Sequence, residues 1–402
     1  MIPIAPGQWD DLIVLCAANN LDGMKVADLH LAEHLSRLAP VLYVDPPMSH
    51  LTPRKHPETA QALRGRRLRL QQPGLARLTP VVQPFPSRPG LTGMSCALIR
   101  RYLRRATARL GGRVTAVISA WPQYPVFGSC GERVSVYWAQ DDFVGGAALL
   151  GLNVGLLDRQ ERRVAADADL VVAANPVVAT AWRNRGRRPL LIPFGADIDA
   201  YRDIERAARP ADADLPGPVA GLVGRLNDRT DLRLLEAVAD RGRSLLLVGP
   251  KDRAFEPARF AALQRRRNVR WVGPKDFGAL PGYLQVIDVG LVPYLDSPFN
   301  RASFPLKALE YLAAGRAVVS TDLPATRWLA TDLISMAAGP ESFADQVDRM
   351  LAEPRTPAIL ASRQEFAARH SWARRAADIY DAVTRSVQAK PQEPRLSRAA
   401  PP

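Results

Sequence analysis

Residues 305–321 read PLKALEYLAAGRAVVST and decide how the second half of the chain folds. Pro305 stands at the first position of a helical pattern, where its missing N–H costs nothing. Gly315 suits the left-handed turn that follows a helix end. The β-branched run Ala317–Ser320 then predicts a buried strand. A helix that leads directly into such a strand indicates an α/β domain built on a parallel sheet.

Glu310 is the residue of this helix with the clearest chemical use. It lies four residues from Leu306 and Ala314, on the face that can turn toward a cleft. A carboxylate there can accept hydrogen bonds from both hydroxyls of a ribose. The amides at the helix N-terminus, around Ser303, Leu306 and Lys307, can hold a phosphate. The alternative is a surface helix whose glutamate is only solvated.

Apolar runs alternate with helical patterns on both sides of residues 305–321. In the first half the predicted strands are Asp11–Ala17, Val41–Val44, Thr115–Ser119, Ser135–Trp138, Leu170–Ala173 and Leu190–Ile192. The predicted helices there are Lys25–Leu38, Leu98–Leu110 and Gly155–Ala168. This alternation is typical of a doubly wound domain, with helices on both faces of a parallel sheet.

The same pattern starts afresh after the linker Arg209–Pro218. The strands predicted there are Val219–Val223, Ser244–Val248, Val269–Val272, Val289–Val292 and Ala317–Ser320. The predicted helices are Leu232–Asp240, Pro257–Arg265, Leu280–Val286, Pro305–Ala314, Glu341–Leu351 and Ser371–Val387. We therefore expect two Rossmann-like α/β domains facing a cleft, residues 1–205 and 215–370. The tail, residues 388–402, is rich in Pro, Arg, Ser and Ala and is predicted to be disordered.

Composition narrows the class of protein. Of the 402 residues, 47% are hydrophobic and 23% charged, as in an ordinary soluble enzyme. Residues 1–6 lack the features of a signal peptide and no apolar run reaches the ~20 residues of a membrane span, so we expect a cytoplasmic protein. Three scattered cysteines and five histidines without ligand spacing give no expectation of a metal site. The net charge of +14 is compatible with an anionic substrate or surface.

Several motifs of the second half resemble the donor-binding elements of retaining GT-B glycosyltransferases, of the group 1 or family 4 type. Besides residues 305–321, they are GLVGRL at 221–226, LVGP at 247–250, WVGPK at 271–275, LPGY at 280–283, IDVGLVPY at 287–294 and PFGAD at 193–197. The resemblance covers roughly residues 10–385. Sugar transferases of surface-polysaccharide or teichuronic-acid assembly look most similar. The resemblance implies that Gly224, Gly249, Gly273 and Lys275 also contact the donor, and that helix 371–387 crosses back to the first domain.

The chain departs from this family at two positions. Ala302 stands where the family usually has the first glutamate of a Glu-x7-Glu motif that ends at Glu310, so sugar recognition must differ. Thr230 stands where the family usually has a lysine, with Arg229 one residue earlier. Arg225 and Arg229 together can still neutralise a diphosphate, because each planar guanidinium can bind two oxygens. The alternative for Arg229 is a surface charge.

The first half contributes two candidate site segments. Asp141 and Asp142 follow the strand Ser135–Trp138, at the edge of a parallel sheet where ligands bind. One of them is expected to orient a hydroxyl or act as a base, and the alternative is a helix N-cap. Gly23, in the loop after the first strand, would allow a substrate to approach closely. That loop is not GxGxxG, so a nicotinamide fingerprint is absent.

A basic helical pattern over residues 98–110 suggests a membrane partner. Leu98, Ile99, Tyr102, Leu103, Ala106 and Leu110 would form its apolar side. Such a helix can rest on anionic lipid, which would suit a lipid-linked acceptor. The alternative is an ordinary helix that covers a sheet and keeps its arginines in water.

These observations predict transfer of a sugar from a nucleotide-diphosphate donor to an acceptor hydroxyl, in cell-envelope glycan or glycolipid synthesis. No cofactor is expected, and the resemblance implies a retaining reaction without metal. Asp141, Asp142, Arg225 and Arg229 are the candidate catalytic residues. Two alternatives stay open, a nucleotide-sugar epimerase and a non-catalytic nucleotide-sugar-binding protein. Nucleic-acid binding would rest on charge alone, without a recognisable binding module.

Overall fold

The computed structural model describes residues 9–23, 25–54, 56–86, 88, 90–147 and 151–390. The chain forms two α/β domains, each built on its own sheet. All strand neighbours are parallel except the pair β3–β4. The expectation of two doubly wound domains is therefore confirmed. Most of the tail predicted for residues 388–402 lies outside the described residues.

The first domain has an eight-stranded sheet with the order β3-β4-β2-β1-β5-β6-β7-β8. Its strands are β1 Leu12–Cys16, β2 Val41–Val44, β3 Leu68–Gln72, β4 Leu75–Leu78, β5 Val114–Ser119, β6 Val134–Ala139, β7 Leu170–Ala173 and β8 Leu190–Leu191. Its helices are α1 Ala27–Leu35, α2 Ala60–Arg64, α3 Thr92–Leu110, α4 Val154–Asp167, α5 Pro176–Asn184 and α6 Ile198–Tyr201. Helices α3, α4 and α5 cover one face of the sheet, and α1 lies on the other.

The second domain has a six-stranded sheet with the order β11-β10-β9-β12-β13-β14. Its strands are β9 Val219–Val223, β10 Ser244–Val248, β11 Val269–Trp271, β12 Val289–Val292, β13 Ala317–Thr321 and β14 Ile334–Ala337. The helices that follow β9 are α7 Leu232–Asp240, α8 Pro257–Gln264, α9 Leu280–Val286, α10 Pro298–Arg301, α11 Leu306–Ala313, α12 Pro324–Trp328, α13 Pro340–Ala352, α14 Pro357–Arg369 and α15 Trp372–Ala389. Helices α7, α8 and α13 pack on one face, and α9, α11 and α14 on the other.

Most predicted strands agree with the structure to within one or two residues, since each is a buried run of apolar residues. The hairpin β3–β4 was not predicted, because β3 begins inside the basic stretch 64–69 and alternates arginine and glutamine with leucine. Strand β14 was not predicted either, nor were helices α2, α5, α6, α10, α12 and α14. Helix α15 continues to Ala389, so the first two residues assigned to the tail are helical.

The apolar side predicted for the basic helix is covered by its own domain. In α3 the side chains of Ile99, Leu103, Ala106 and Leu110 are buried in a core cluster with β1 and β5. Leu98 and Tyr102 pack against the same cluster. The prediction that this side meets lipid is therefore wrong, because its apolar surface is already removed from water by the sheet. The arginine-bearing side of α3 faces solvent.

The two domains are joined where two chain segments cross. The N–H of Ala196 donates to the carbonyl of His370 at 2.9 Å, and the N–H of Trp372 donates to the carbonyl of Ala196 at 3.1 Å. Trp372 is buried between Phe194 and a stacked His30 at 5.8 and 5.6 Å. From this crossing α15 runs back along α1 and reaches β5 and β6. One apolar cluster therefore continues through both domains.

Gly195 is required by this crossing. A Cβ atom at Gly195 would lie 2.5 Å from the backbone C of Ser371 and 2.5 Å from the N of Trp372. Both obstacles belong to the peptide group between Ser371 and Trp372, whose N–H and carbonyl oxygen are hydrogen-bonded, so Gly195→Ala must separate the two segments. We expect a loss of about 1–3 kcal/mol of unfolding free energy, the usual cost of overpacking. The thermal unfolding midpoint should fall accordingly.

The matched control is Gly93→Ala, because a Cβ at Gly93 meets no atom within 4 Å. This control should leave the midpoint unchanged or raise it slightly, since alanine favours a helix more than glycine. Equal midpoints for both variants would contradict the close approach of the two segments.

Candidate functional site: a cleft between the two sheets

The two domains enclose a cavity of about 400 Å³. Loops at the carboxyl ends of the strands supply its walls, where parallel α/β sheets keep their ligands. The first domain contributes Asn19, Lys25, Val26, Ala27, Gln140, Asp141 and Phe194. The second contributes Val223, Gly224, Arg229, Phe277, Leu280, Tyr294, Ser303, Phe304, Leu306, Lys307 and Glu310. Seven of the thirteen residues predicted for the site therefore meet at one cavity.

Lys307 lies directly over the loop that follows β9. A Cβ at Gly224 would stand 1.9 Å from the Lys307 Nζ, and a Cβ at Gly249 would stand 2.1 Å from the Gly224 carbonyl oxygen. Both glycines have positive φ, 144° and 139°. These positions thus need glycine for close packing and for backbone conformation. Lys307 forms no ion pair among the described residues, so its ammonium is available to an anion in the cavity.

Glu310 lies one helical turn beyond Lys307 on α11 and faces the same cavity. Burial raises the pKa of this carboxyl, and the nearby Lys307 ammonium opposes the rise. Within the described residues the carboxylate has no hydrogen-bond partner. A buried acceptor of this kind is costly unless a partner satisfies it. Ligand hydroxyls would supply that partner.

The Arg229 side chain is held in place by one amide side chain and two aromatic rings. Its Nε donates to Oδ1 of the fully buried Asn300 at 2.8 Å. Its guanidinium lies 5.1 Å from the Tyr294 ring centre and 4.9 Å from the Phe299 ring centre. Such cation–π contacts and a fixed Nε hold the planar fork in one orientation. Arg229 therefore presents a preorganised positive charge to the cavity.

Asp141 faces Arg229 from the first domain. Its Oδ1 accepts a hydrogen bond from the Ser303 hydroxyl at 3.0 Å, which links the two domains. Burial raises the pKa of Asp141 to about 6, although the Arg229 charge and the Ser303 hydroxyl both act to lower it. Near neutral pH this carboxyl can therefore change its protonation state, as a group that handles protons must.

Asp142 points away from the cavity. Its Oδ1 accepts a hydrogen bond from the Gly145 N–H at 2.8 Å, within its own loop. This bond closes a turn and does not cap a helix, because the next helix, α4, begins at Val154 with Asn153 as its N-cap. Of the two aspartates, only Asp141 lines the cavity.

Four other predicted site residues lie outside the cavity walls. Arg225 is exposed and pairs with Asp252 at 2.8 Å. Lys275 forms an ion pair at 2.6 Å with Asp212, which lies in the segment that connects the two domains. Gly273 accepts a hydrogen bond from the Gly249 N–H, and Gly249 itself packs behind Gly224. Gly249 and Gly273 therefore support the loop behind the cavity, whereas Arg225 and Lys275 are ion-paired outside the cavity walls.

Gly23 lies outside the cavity walls, as do Ala302 and Thr230, the two positions that depart from the family pattern. Gly23 is exposed in a turn whose N–H donates to the Asn20 carbonyl at 3.1 Å. Ala302 is buried against the first domain, and its carbonyl accepts a hydrogen bond from Asn175 Nδ2 at 2.5 Å. Thr230 is buried, and its backbone pairs with Tyr294. Neither Ala302 nor Thr230 reaches the cavity walls.

Asp28 braces the first-domain wall, and sequence reasoning did not find it. This carboxylate is fully buried and accepts hydrogen bonds from the N–H groups of Ala18 and Asn19, from Asn19 Nδ2 and from Gln140 Nε2. Burial raises its pKa, which these hydrogen bonds oppose. Asn19 and Gln140 both line the cavity, so one carboxylate fixes the loops after β1 and β6. An aspartate on the buried face of a helix was the available signal.

Solved structures with low sequence identity share this fold. The sucrose-phosphate synthase of Thermosynechococcus elongatus is similar with a TM-score of 0.73, at 17% identity, over 94% of this chain and 100% of that chain. Anabaena Alr3699/HepE in complex with UDP-glucose is similar with a TM-score of 0.64, at 15% identity, over 93% and 99%. The fold is that of the GT-B glycosyltransferases.

Sequence comparison adds the family of the second domain. The family model described as Glycosyl transferases group 1 matches residues 217–353. The second domain is therefore a glycosyl transferases group 1 domain. The "Putative teichuronic acid biosynthesis glycosyltransferase TuaH" of Bacillus subtilis (strain 168) is 41% identical over 112 residues. That alignment spans 27% of this chain and 28% of the length of the relative.

Metal-binding clusters and membrane-spanning helices are both absent from the residues that the structure describes. Within the described ranges, no group of three or more His, Cys, Asp and Glu side chains is arranged to hold a metal ion. Among the helices that the structure describes, none combines the length and the apolar character needed to cross a membrane.

The raised pKa of Asp141 predicts how stability depends on pH. The folded pKa of about 6 lies above the ordinary value of 3.8, so the folded protein holds a proton that the unfolded chain has released. Stability is then lost as pH rises from about 4 through about 6. Asp141→Asn removes this loss, and we expect it to gain up to ~2 kcal/mol over the wild type at pH 8 and little at pH 4.

Chemical denaturation across this pH range measures the difference. Asp142→Asn is the control, since that carboxylate closes a turn in its own loop outside the cavity. If both variants gained the same unfolding free energy between pH 4 and pH 8, the gain would come from removing a loop charge. That result would contradict the burial of Asp141.

Proposed function

We propose that the protein transfers a sugar from a nucleotide-diphosphate-sugar to a hydroxyl of an acceptor. The observation that carries the proposal is the arrangement of four charged groups around one cavity. Glu310 and Lys307 lie on one helix, and the fixed Arg229 guanidinium lines the same cavity and interacts electrostatically with Asp141 of the other domain. The GT-B fold and the group 1 domain support the same reaction class.

The second domain would bind the nucleotide. The unpartnered carboxylate of Glu310 suits the two ribose hydroxyls, because a carboxylate accepts several hydrogen bonds. Lys307, above the Gly224 loop, and Arg229 would hold the diphosphate. Charge-assisted hydrogen bonds to phosphate are about twice as strong as neutral ones, and they strengthen as negative charge develops on the leaving group. Phe277 and Leu280 supply apolar surface beside Glu310 for the base.

The first domain would present the acceptor. In the reaction the bond between the sugar C1 and the diphosphate oxygen breaks, and a bond from C1 to the acceptor oxygen forms. The nucleoside diphosphate leaves with the bonding electron pair, stabilised by Lys307 and Arg229. The departing phosphate would take the acceptor proton, with Asp141 orienting the acceptor hydroxyl. Retention of anomeric configuration and independence of metal are the features that the resemblance implies, and we include both in the proposal.

The relatives support a choice of donor and of cellular role for this proposal. Anabaena Alr3699/HepE was solved with UDP-glucose, so uridine diphosphate sugars are the first donors to test. The printed name of TuaH concerns teichuronic acid biosynthesis, which supports cell-envelope glycan or glycolipid synthesis for this chain. A lipid-linked acceptor at the cytoplasmic membrane surface would suit the arginine-bearing side of α3.

Glu310→Gln should weaken nucleotide binding. The amide keeps the shape of the side chain but accepts weaker hydrogen bonds and loses the charge. Since a hydrogen bond to a charged group contributes about 1.5–3 kcal/mol, we expect UDP to bind roughly 10- to 100-fold more weakly by titration calorimetry. The control is Glu365→Gln on the exposed side of α14. Unchanged affinity in Glu310→Gln would remove the carboxylate from the ribose site.

Lys307→Gln should affect the diphosphate alone. We expect about tenfold weaker binding of UDP and unchanged binding of uridine, because only UDP presents charge to the ammonium. Lys275→Gln is the matched control, since Lys275 pairs with Asp212 away from the cavity. A larger effect of Lys275→Gln would contradict the placement of the diphosphate beside Lys307.

Turnover decides between the transferase and its alternatives. Sugar from a labelled UDP-sugar should appear in an acceptor only when an acceptor extract is added. Conversion of the donor sugar without any acceptor would indicate the epimerase. Tight nucleotide binding without turnover, over a range of acceptor extracts, would indicate a binding protein.

A further inference from the structure

A second cavity lies on the outer face of the first domain, between α3 and α4. We call it the α3–α4 groove, and its volume is about 420 Å³. Its walls are mostly apolar. They are formed by Thr92, Gly93, Cys96, Ala97 and Arg100 of α3, by Pro122, Gln123 and Pro125 of the loop after β5, and by Gln160, Arg163 and Val164 of α4.

A short chain of contacts connects the groove with the donor cavity. Phe143, two residues beyond Asp141, packs edge-on against Trp121 with 5.0 Å between the ring centres. The Trp121 Nε1 donates to Gln123 Oε1 at 3.2 Å, and Gln123 lines the groove. One aromatic pair thus separates the groove from the loop that carries Asp141. A molecule in the groove would have one end near the proposed acceptor position.

Large apolar side chains are exposed on the elements that flank the groove. Phe85, Met94 and Val154 are 52%, 49% and 51% exposed. Met94 is in the first turn of α3, Val154 begins α4, and Phe85 is in the loop held to α3 by the hydrogen bond from Ser95 to the Pro86 carbonyl. Exposed apolar groups around an apolar groove commonly mark a binding surface.

The positive charge beside the groove indicates which kind of apolar ligand it would bind. Helix α3 has five arginines and no acidic residue. Arg100 of that helix and Arg163 of α4 are groove walls themselves. An uncharged hydrocarbon would gain nothing from these cations, whereas an apolar chain with a phosphate would meet both surfaces. The groove therefore fits an amphipathic anion.

We propose that the α3–α4 groove binds the apolar chain of a phosphate-bearing lipid, and that this lipid is the acceptor. The head group would extend past Trp121 to the Asp141 loop, where its hydroxyl meets the donor. The identity of the lipid as acceptor rests on the proposed transferase, but its binding in the groove does not. Recognition is by one molecule in one groove, which differs from attraction of the whole domain to a membrane surface.

Cys96 in the groove wall allows a test without any donor. The probe is farnesyl phosphate, with inorganic phosphate as the chainless control. Alkylation of Cys96 by iodoacetamide is followed by mass spectrometry of its peptide. We expect farnesyl phosphate, at concentrations well above its dissociation constant, to slow alkylation of Cys96 by about tenfold or more, and phosphate to leave it unchanged. Equal protection by both, or by neither, would overturn the proposal.

A second test measures farnesyl phosphate binding by calorimetry in a variant whose groove is filled by a large side chain. Ala97→Trp places a large side chain in the groove from an exposed position of α3 and should abolish farnesyl phosphate binding. Ala108→Trp makes the same change on the same helix outside the groove and should bind like the wild type. Unchanged binding in Ala97→Trp, or binding of anionic vesicles that leaves Cys96 fully reactive, would overturn the groove in favour of surface charge.

The outcomes separate this proposal from the transferase. Farnesyl phosphate bound in the groove, with no turnover of any UDP-sugar, would support the groove and sink the transferase. Turnover with a water-soluble acceptor, unaffected by Ala97→Trp and without lipid binding, would do the reverse.

Discussion

The arrangement of the molecule depends on the crossing of two backbone segments at Gly195 and Ser371. Their hydrogen bonds, and the burial of Trp372 against His30 and Phe194, fix how the two sheets face each other. Only glycine lets the segments approach so closely. Because the strands of both sheets end toward the cleft, this one contact brings loops from distant parts of the sequence to a common cavity.

The cavity combines groups that are individually costly to bury. Glu310 and Asp141 have carboxyl pKa values raised by burial, and Lys307 and Arg229 are the cations beside them. The protein holds them with neutral contacts, such as Asn300 on Arg229 and Ser303 on Asp141. Their charges therefore remain available to a ligand. This is the preorganisation expected where negative charge develops on a leaving group.

Sequence patterns predicted the parts of the fold that are local. Strands such as β9 and β12 agree residue for residue because they are continuous apolar runs, while β3 was hidden by its arginines and glutamines. The motif around Glu310 indicated the second-domain wall. The direction of a side chain could not be predicted from the sequence. Lys275 was therefore predicted among the donor-binding residues, although in the structure it pairs with Asp212 outside the cavity. The hydrogen bond from Gln140 Nε2 to the Asp28 carboxylate joins residues 112 positions apart, so it depends on the assembled sheet.

The most direct test of this account is a crystal structure of the protein with a bound UDP-sugar. The account predicts the ribose hydroxyls on the Glu310 carboxylate, the diphosphate between Lys307 and Arg229, and the sugar directed toward Asp141. Nucleotide bound elsewhere, or density in this cavity that contacts neither Glu310 nor Lys307, would contradict it.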